Sequence, residues 1–136
     1  MENKNKKTEH KSEKQVFSIV KRVQSFEHAG NGIKIFLKTT HSSWLQIFVG
    51  IAAICLGFIF NISQTEWMFV VLSIGFVLTA EAFNTAVEFD IDLTSPTYHE
   101  YAKYTKDVAA GAVLIASITA SIVGLIIFVP KFLMVL

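Results

Sequence analysis

Polar and apolar positions alternate along the chain with periods that predict its elements. Residues 1–15 are almost wholly polar, with Lys4, Lys6, Lys7, Lys11 and Lys14 interleaved with Glu2, Glu9 and Glu13. So little apolar surface cannot offset the entropy of ordering, which predicts a disordered tail. From Val16 the pattern changes: Val16, Ile19, Val20 and Val23 recur at i, i+3, i+4 and i+7, while Lys21, Arg22 and Gln24 take other faces. That spacing predicts an amphipathic surface helix within residues 16–41. Gly30-Asn31-Gly32 predicts a break in it. Beyond the glycines, Ile33, Ile35, Phe36 and Leu37 with Lys34 and Lys38 suit a helix in the headgroup region, its lysines reaching lipid phosphates.

Three long apolar runs follow. At about 1.5 Å per helical residue, residues 44–62 reach about 28 Å, and residues 67–88 and 108–129 about 33 Å each. The hydrocarbon core of a bilayer is about 30 Å thick, so all three can cross it. The expected fold is an all-α membrane protein in which residues 16–136 form one domain, a surface helix followed by three transmembrane helices. Ser63, with Glu66 three residues on, is a capping-box pattern for the start of the second span. Ser95-Pro96 predicts the N-cap and first residue of a further helix.

Composition supports the membrane reading: 52% of residues are hydrophobic and 17% charged. The net charge of +1 hides an asymmetry, because nine of the twelve Lys and Arg residues lie in the first 38 positions. This is a basic, water-facing arm, and no nucleic-acid partner is expected. The connection 61–66 carries no Lys or Arg, whereas residues 89–107 carry Lys103 and Lys106. By the positive-inside rule the N-terminus and the second connection are cytoplasmic and the C-terminus is outside. No small-residue cleavage site follows the basic stretch, so the tail is expected to stay on the mature protein. The single cysteine, Cys55, can form neither an intrachain disulfide nor a thiolate zinc site. In the third span Ala112, Ala116, Ala120 and Gly124 recur every four residues, a stripe that lets helices approach closely in lipid and predicts an oligomer.

The second span carries residues that lipid disfavours. Glu81, Asn84, Glu88 and Asp92 lie at i, i+3, i+7 and i+11, within an arc of roughly 80° on one helix face. Ionisable groups in a span cost about 2.5 kcal/mol or more, which makes such a stripe a functional-site hypothesis. Carboxylates with an amide between them offer hard oxygen ligands for Mg²⁺, and a carboxylate left off the metal can act as a general base. Lys103, Lys106 and Asp107 nearby would serve phosphoryl transfer. The residues alone leave three readings open: phosphoryl transfer, a proton or ion pathway, and a polar seam that only specifies helix assembly.

The run Glu81-Ala82-Phe83-Asn84-Thr85-Ala86-Val87-Glu88, with Asp92, Tyr98-His99, Ala102-Lys103 and Lys106-Asp107-Val108-Ala109-Ala110-Gly111-Ala112-Val113-Leu114, resembles the signature of the small bacterial lipid kinases, diacylglycerol kinase and undecaprenol kinase. The resemblance extends to Ser25-Phe26, Ala29, Gly32-Ile33, Thr65-Glu66-Trp67, Gly124 and Pro130-Lys131, nearly everything after the tail. It implies a homotrimer in the bacterial cytoplasmic (inner) membrane, with active sites at subunit interfaces near the cytoplasmic face. It implies transfer of the γ-phosphoryl group of ATP, with Mg²⁺, to the hydroxyl of undecaprenol or diacylglycerol. Carried over by position, Glu81 is the base for the lipid hydroxyl, Asn84 orients substrate or phosphate, and Glu88 holds the metal. Tyr98, His99, Lys106 and Asp107 then line the nucleotide site, with Lys21 and His28 at further nucleotide-contacting positions. The chain has neither a Walker A loop nor a kinase Gly-rich loop, as the resemblance requires.

One position departs from the pattern. After Leu37-Lys38 these kinases have a glutamate that shares the metal with the residue at Glu88, and here Thr40 stands in its place. Gln46 likewise replaces a usual His or Glu. A catalytically weak or silent member, acting as a membrane scaffold or regulator, is the alternative that this substitution raises.

Overall fold

The structure, a computed structural model, describes residues 19–135 of the chain, all helix, turn or short connection. The expected tail, residues 1–15, and Val16 lie outside the described residues. Four helices follow in order: α1 Ile19–Thr39, α2 His41–Ile59, α3 Gln64–Thr94 and α4 Glu100–Leu133. The chain divides into two units, Met1–Ile33 and Lys34–Leu136. In the first, the described residues are helical, and Phe26 and Ile33 are exposed. The second holds the end of α1 and the other three helices, α3 packing most extensively on α4 and less on α2.

The predicted break at Gly30-Asn31-Gly32 does not occur, since α1 is continuous through it. A glycine inside a helix costs about 1 kcal/mol relative to alanine but removes no backbone donor, so two of them weaken a helix without ending it. The predicted helix start at Ser95-Pro96 is also corrected. Ser95 closes α3, donating its N–H to the Ile91 carbonyl at 2.8 Å, and α4 begins only after His99. A residue before proline is driven out of the helical region, and Ser95 sits at φ −132°, ψ 68°. Pro96 therefore stops one helix rather than starting the next.

The hairpin joining α2 to α3 follows from its local sequence. Phe60 caps α2, Asn61 takes the left-handed conformation at φ 45°, and the N–H groups of Asn61 and Ile62 return to the carbonyls of Phe58 and Gly57 at 3.2 and 3.1 Å. This satisfies carbonyls that the helix end would otherwise orphan, with asparagine in the place glycine usually takes. Ile62 packs back over Gly57, where a Cβ would lie 3.1 Å from Ile62 Cδ1 and 2.7 Å from Trp67 Cη2. The predicted capping box is present: Glu66 N–H donates to Ser63 Oγ at 3.3 Å, and Ser63 N–H donates to Glu66 Oε2 at 2.6 Å. Around this hairpin Ile62, Val70 and Ile127 form a small buried core, flanked by Trp67, Ile74 and Phe128.

Elsewhere large apolar side chains face outward, Phe48, Phe69, Phe76, Ile115 and Leu125 among them, while Ser43, Glu81, Asn84 and Thr85 are buried. That is the inverse of a water-soluble protein, and it is stable only where lipid solvates the apolar faces. Among the described residues three helices are long and apolar enough to cross a membrane, within Ser42–Ile59, Gln64–Thr94 and Glu100–Leu133. Ala116 of the small-residue stripe is fully buried within the single chain, so that part of the stripe serves the chain's own packing.

Candidate active site

The polar stripe of α3 meets the corner between α1 and α2. The corner is tied to itself: Thr40 N–H donates to the Phe36 carbonyl at 3.1 Å, Ser43 Oγ to the Thr40 carbonyl at 2.5 Å, and Trp44 Nε1 to the Leu37 carbonyl at 3.0 Å. Thr40 stands at the N-cap of α2 in an extended conformation, yet its side chain caps nothing. Its hydroxyl instead meets the Thr85 hydroxyl on α3 at 2.9 Å. Two residues on, the Ser42 hydroxyl donates to Oε1 of Glu81.

On α3, Glu81, Thr85 and Asn84 are 4%, 5% and 9% exposed. Thr85 Oγ1 donates to the Glu81 carbonyl at 3.0 Å, and Asn84 Nδ2 donates to Glu88 Oε1 at 2.9 Å. The other atom of that amide, Asn84 Oδ1, is buried with no hydrogen-bond partner among the described residues. A buried acceptor without a donor costs about 1–3 kcal/mol, so a group other than the described ones is its natural partner. Farther along, Asp92 pairs with Lys106 and links α3 to α4.

The stripe predicted from sequence is thus assembled at Glu81, Asn84 and Glu88, with Thr40 beside it. Lys106 is brought to Asp92, the stripe's last member. Tyr98, His99 and Asp107 are exposed, and among the described residues no hydrogen bond or ion pair joins them to Glu81, Asn84 or Glu88. His28 lies exposed on the part of α1 in the first unit, and the side chain of Lys21 lies outside the described residues. Among the described residues no three His, Cys, Asp or Glu side chains cluster as a metal site. Glu88 with Asn84 Oδ1 nevertheless fits Mg²⁺ arriving on a nucleotide, because that ion needs only one or two protein oxygens alongside phosphates and water.

Sequence reasoning missed Ser42 and Thr85. Thr85 had a signal, since it sits at i+4 from Glu81 and shares its face. Also unforeseen is a cavity of about 440 Å³ between α2, α3 and α4, lined by Val49, Ala53, Val70, Ile74, Ala120 and Gly124 among others. It reaches Gln46, one turn along α2 from Ser42, and Val77, one turn along α3 from Glu81. Gln46 Oε1, like Asn84 Oδ1, is buried without a partner among the described residues.

A buried carboxylate and amide on a helix long enough to cross a bilayer are compatible with a membrane-embedded enzyme. Comparison with known proteins narrows the class. The family profile of prokaryotic diacylglycerol kinase matches residues 27–128. The chain is 39% identical over 108 residues to the undecaprenol kinase of Bacillus subtilis, covering 79% of this chain and 88% of that protein. It is 36% identical over 110 residues to the diacylglycerol kinase of Synechocystis sp., covering 80% of this chain and 63% of that protein. The chain belongs to the prokaryotic diacylglycerol kinase family and is a membrane lipid kinase.

Proposed function

We propose that the chain transfers the γ-phosphoryl group of ATP, bound with Mg²⁺, to the hydroxyl of undecaprenol or diacylglycerol at a site centred on Glu81. The observation that carries this reading is the burial of Glu81 and Asn84 on α3, Glu81 one turn beyond Val77 of the apolar cavity's lining and close to the end of a bilayer's depth. Counted from Gln64, Glu81 lies about 26 Å along α3 and Glu88 about 36 Å. With a hydrocarbon core of about 30 Å, the first falls just inside one boundary and the second just outside it. A lipid alcohol can thus reach Glu81 from the membrane while a nucleotide reaches Glu88 from water.

In this mechanism Glu81 accepts the proton of the lipid hydroxyl as its oxygen attacks the terminal phosphorus, and the bond to the bridging oxygen breaks to release the diphosphate. Glu88, with Asn84, would hold Mg²⁺, which screens phosphate charge when bound. Lys106 exchanges Asp92 for a phosphate oxygen, and Tyr98, His99, Asp107, Lys21 and His28 complete the nucleotide site. The basic arm supports a cytoplasmic N-terminus and active site in a bacterial inner membrane. Exposed Phe26, Ile33 and Ile35 beside Lys34 and Lys38 support α1 as a helix on the membrane surface. A homotrimer would bring the exposed nucleotide residues of one subunit to the stripe of another.

The fuller coverage of the undecaprenol kinase favours undecaprenol as acceptor. A second reading, a weak or silent member acting as a scaffold, draws on Thr40, which puts a neutral hydroxyl where a second carboxylate would offset the metal. The deciding experiment incubates purified protein with terminally labelled ATP and a panel containing undecaprenol and diacylglycerol. Label in one lipid phosphate supports the kinase and names its substrate. Label in neither favours the scaffold. Orientation is tested in a Cys55→Ser background: Ser63→Cys is expected to react with an impermeant thiol reagent in intact cells and Ser95→Cys to stay protected, and the reverse pattern would remove the site from ATP.

A further inference from the structure

Each hydroxyl has one proton to give, and around Glu81 those protons can be assigned. Thr85 donates to the Glu81 carbonyl, so in its contact with Thr40 it accepts, and Thr40 donates. The Ser43 hydroxyl is committed to the Thr40 carbonyl. Ser42 is then the one donor, among the described residues, to the side chain of Glu81, and no Lys or Arg among them lies within ion-pair distance of that carboxylate. A carboxylate that is 4% exposed and has no cation beside it among the described residues depends on such a donor for its rotamer as well as its solvation.

We infer that Ser42 is a positioning residue for Glu81: its hydroxyl fixes Oε1 and leaves Oε2 to the acceptor alcohol. This inference rests on the reading of Glu81 as the base. Ser42 is suited to the role by the stiffness of its setting, because the α1–α2 corner is fastened by Thr40, Ser43 and Trp44 and joined to α3 through Thr85. A hydroxyl on such a mount presents a fixed direction to the carboxylate. General-base catalysis requires that constancy, since misplacement of the base costs rate without affecting nucleotide binding. Ser42 itself is exposed on its other side, so its truncation opens no cavity.

The test compares the full chain, Ser42→Ala and Ser42→Thr, purified into lipid nanodiscs and assayed with ATP and undecaprenol. Ser42→Ala is expected to lower kcat about tenfold with an unchanged KM for ATP, the loss of one hydrogen bond to a charged group. Ser42→Thr, which keeps the hydroxyl, is expected to recover most of the rate. In a Glu81→Gln background Ser42→Ala should add no further loss. Unchanged kcat in Ser42→Ala, a loss confined to KM for ATP, or additive losses would each overturn the inference while leaving Glu81 as base. An active Glu81→Gln enzyme would instead overturn the base and the inference with it. A readout without turnover covers a silent enzyme: with carbon-13 glutamate, the infrared band that Glu81→Gln removes should move in Ser42→Ala and return in Ser42→Thr. A band that does not move would refute the contact.

Discussion

The two ends of α3 are built on opposite terms. At the Ser63 end the backbone and side chains close on themselves: the left-handed cap at Asn61, the capping box and the Glu66–Lys131 ion pair at 3.1 Å leave polar groups satisfied around the core of Ile62, Val70 and Ile127. At the Ser95 end the polar groups are more deeply buried and, among the described residues, less completely paired, with Asn84 Oδ1 lacking a donor and Glu81 receiving one hydroxyl. One end holds the helices together, and the other is where the proposed substrates would bind. Substitutions at the first should therefore change stability at constant turnover, and those at the second the reverse.

The largest effect is expected from Glu81→Gln, which removes the proposed base: kinase rate should fall about a thousandfold with ATP binding retained, as equilibrium dialysis would reveal. A variant that loses ATP binding too would blur the division between the ends. Next comes Gly57→Ala at the hairpin. Its new Cβ would meet Trp67 at 2.7 and 2.9 Å, so stability in detergent should drop by about 1–3 kcal/mol while kcat per folded molecule holds. A matching fall in kcat would mean that hairpin packing transmits to the site.

Thr40→Glu probes the departure from the family pattern. Restoring the carboxylate should raise the rate severalfold and lower the Mg²⁺ concentration needed for half-maximal activity, read from a magnesium titration. The swap also removes the hydroxyl that meets Thr85, so an unchanged requirement would separate Thr40 from the metal and leave it as a helix tie. The smallest effect belongs to Glu66→Gln. Its ion pair with Lys131 is partly exposed, and such pairs add little to stability, so a shift of at most a few degrees in melting temperature is the expected result.

The same contrast explains what was legible in the sequence. The capping box involves residues three apart, and the stripe of Glu81, Asn84 and Glu88 follows from helical period alone, so both could be read directly. The contacts that finish the site join residues far apart: Ser42 to Glu81 across 39 positions and Thr40 to Thr85 across 45. No local pattern reports which hydroxyl of Thr39-Thr40-His41-Ser42-Ser43 will face a distant carboxylate. Within helices, the glycines of α1 and Ser95-Pro96 misled because each signal has two local outcomes, and the neighbouring backbone decides between them.

The Glu66–Lys131 ion pair also bears on how the enzyme responds to its membrane. It marks where α3 and α4 meet at one end, and both helices, at about 46 and 51 Å, are longer than the bilayer core. Helices longer than the core adjust to a thicker or thinner bilayer by tilting, which changes the depth of Glu81 below the headgroups. Kinase rate is therefore expected to vary with the acyl-chain length of the host lipid, measured in vesicles of graded thickness.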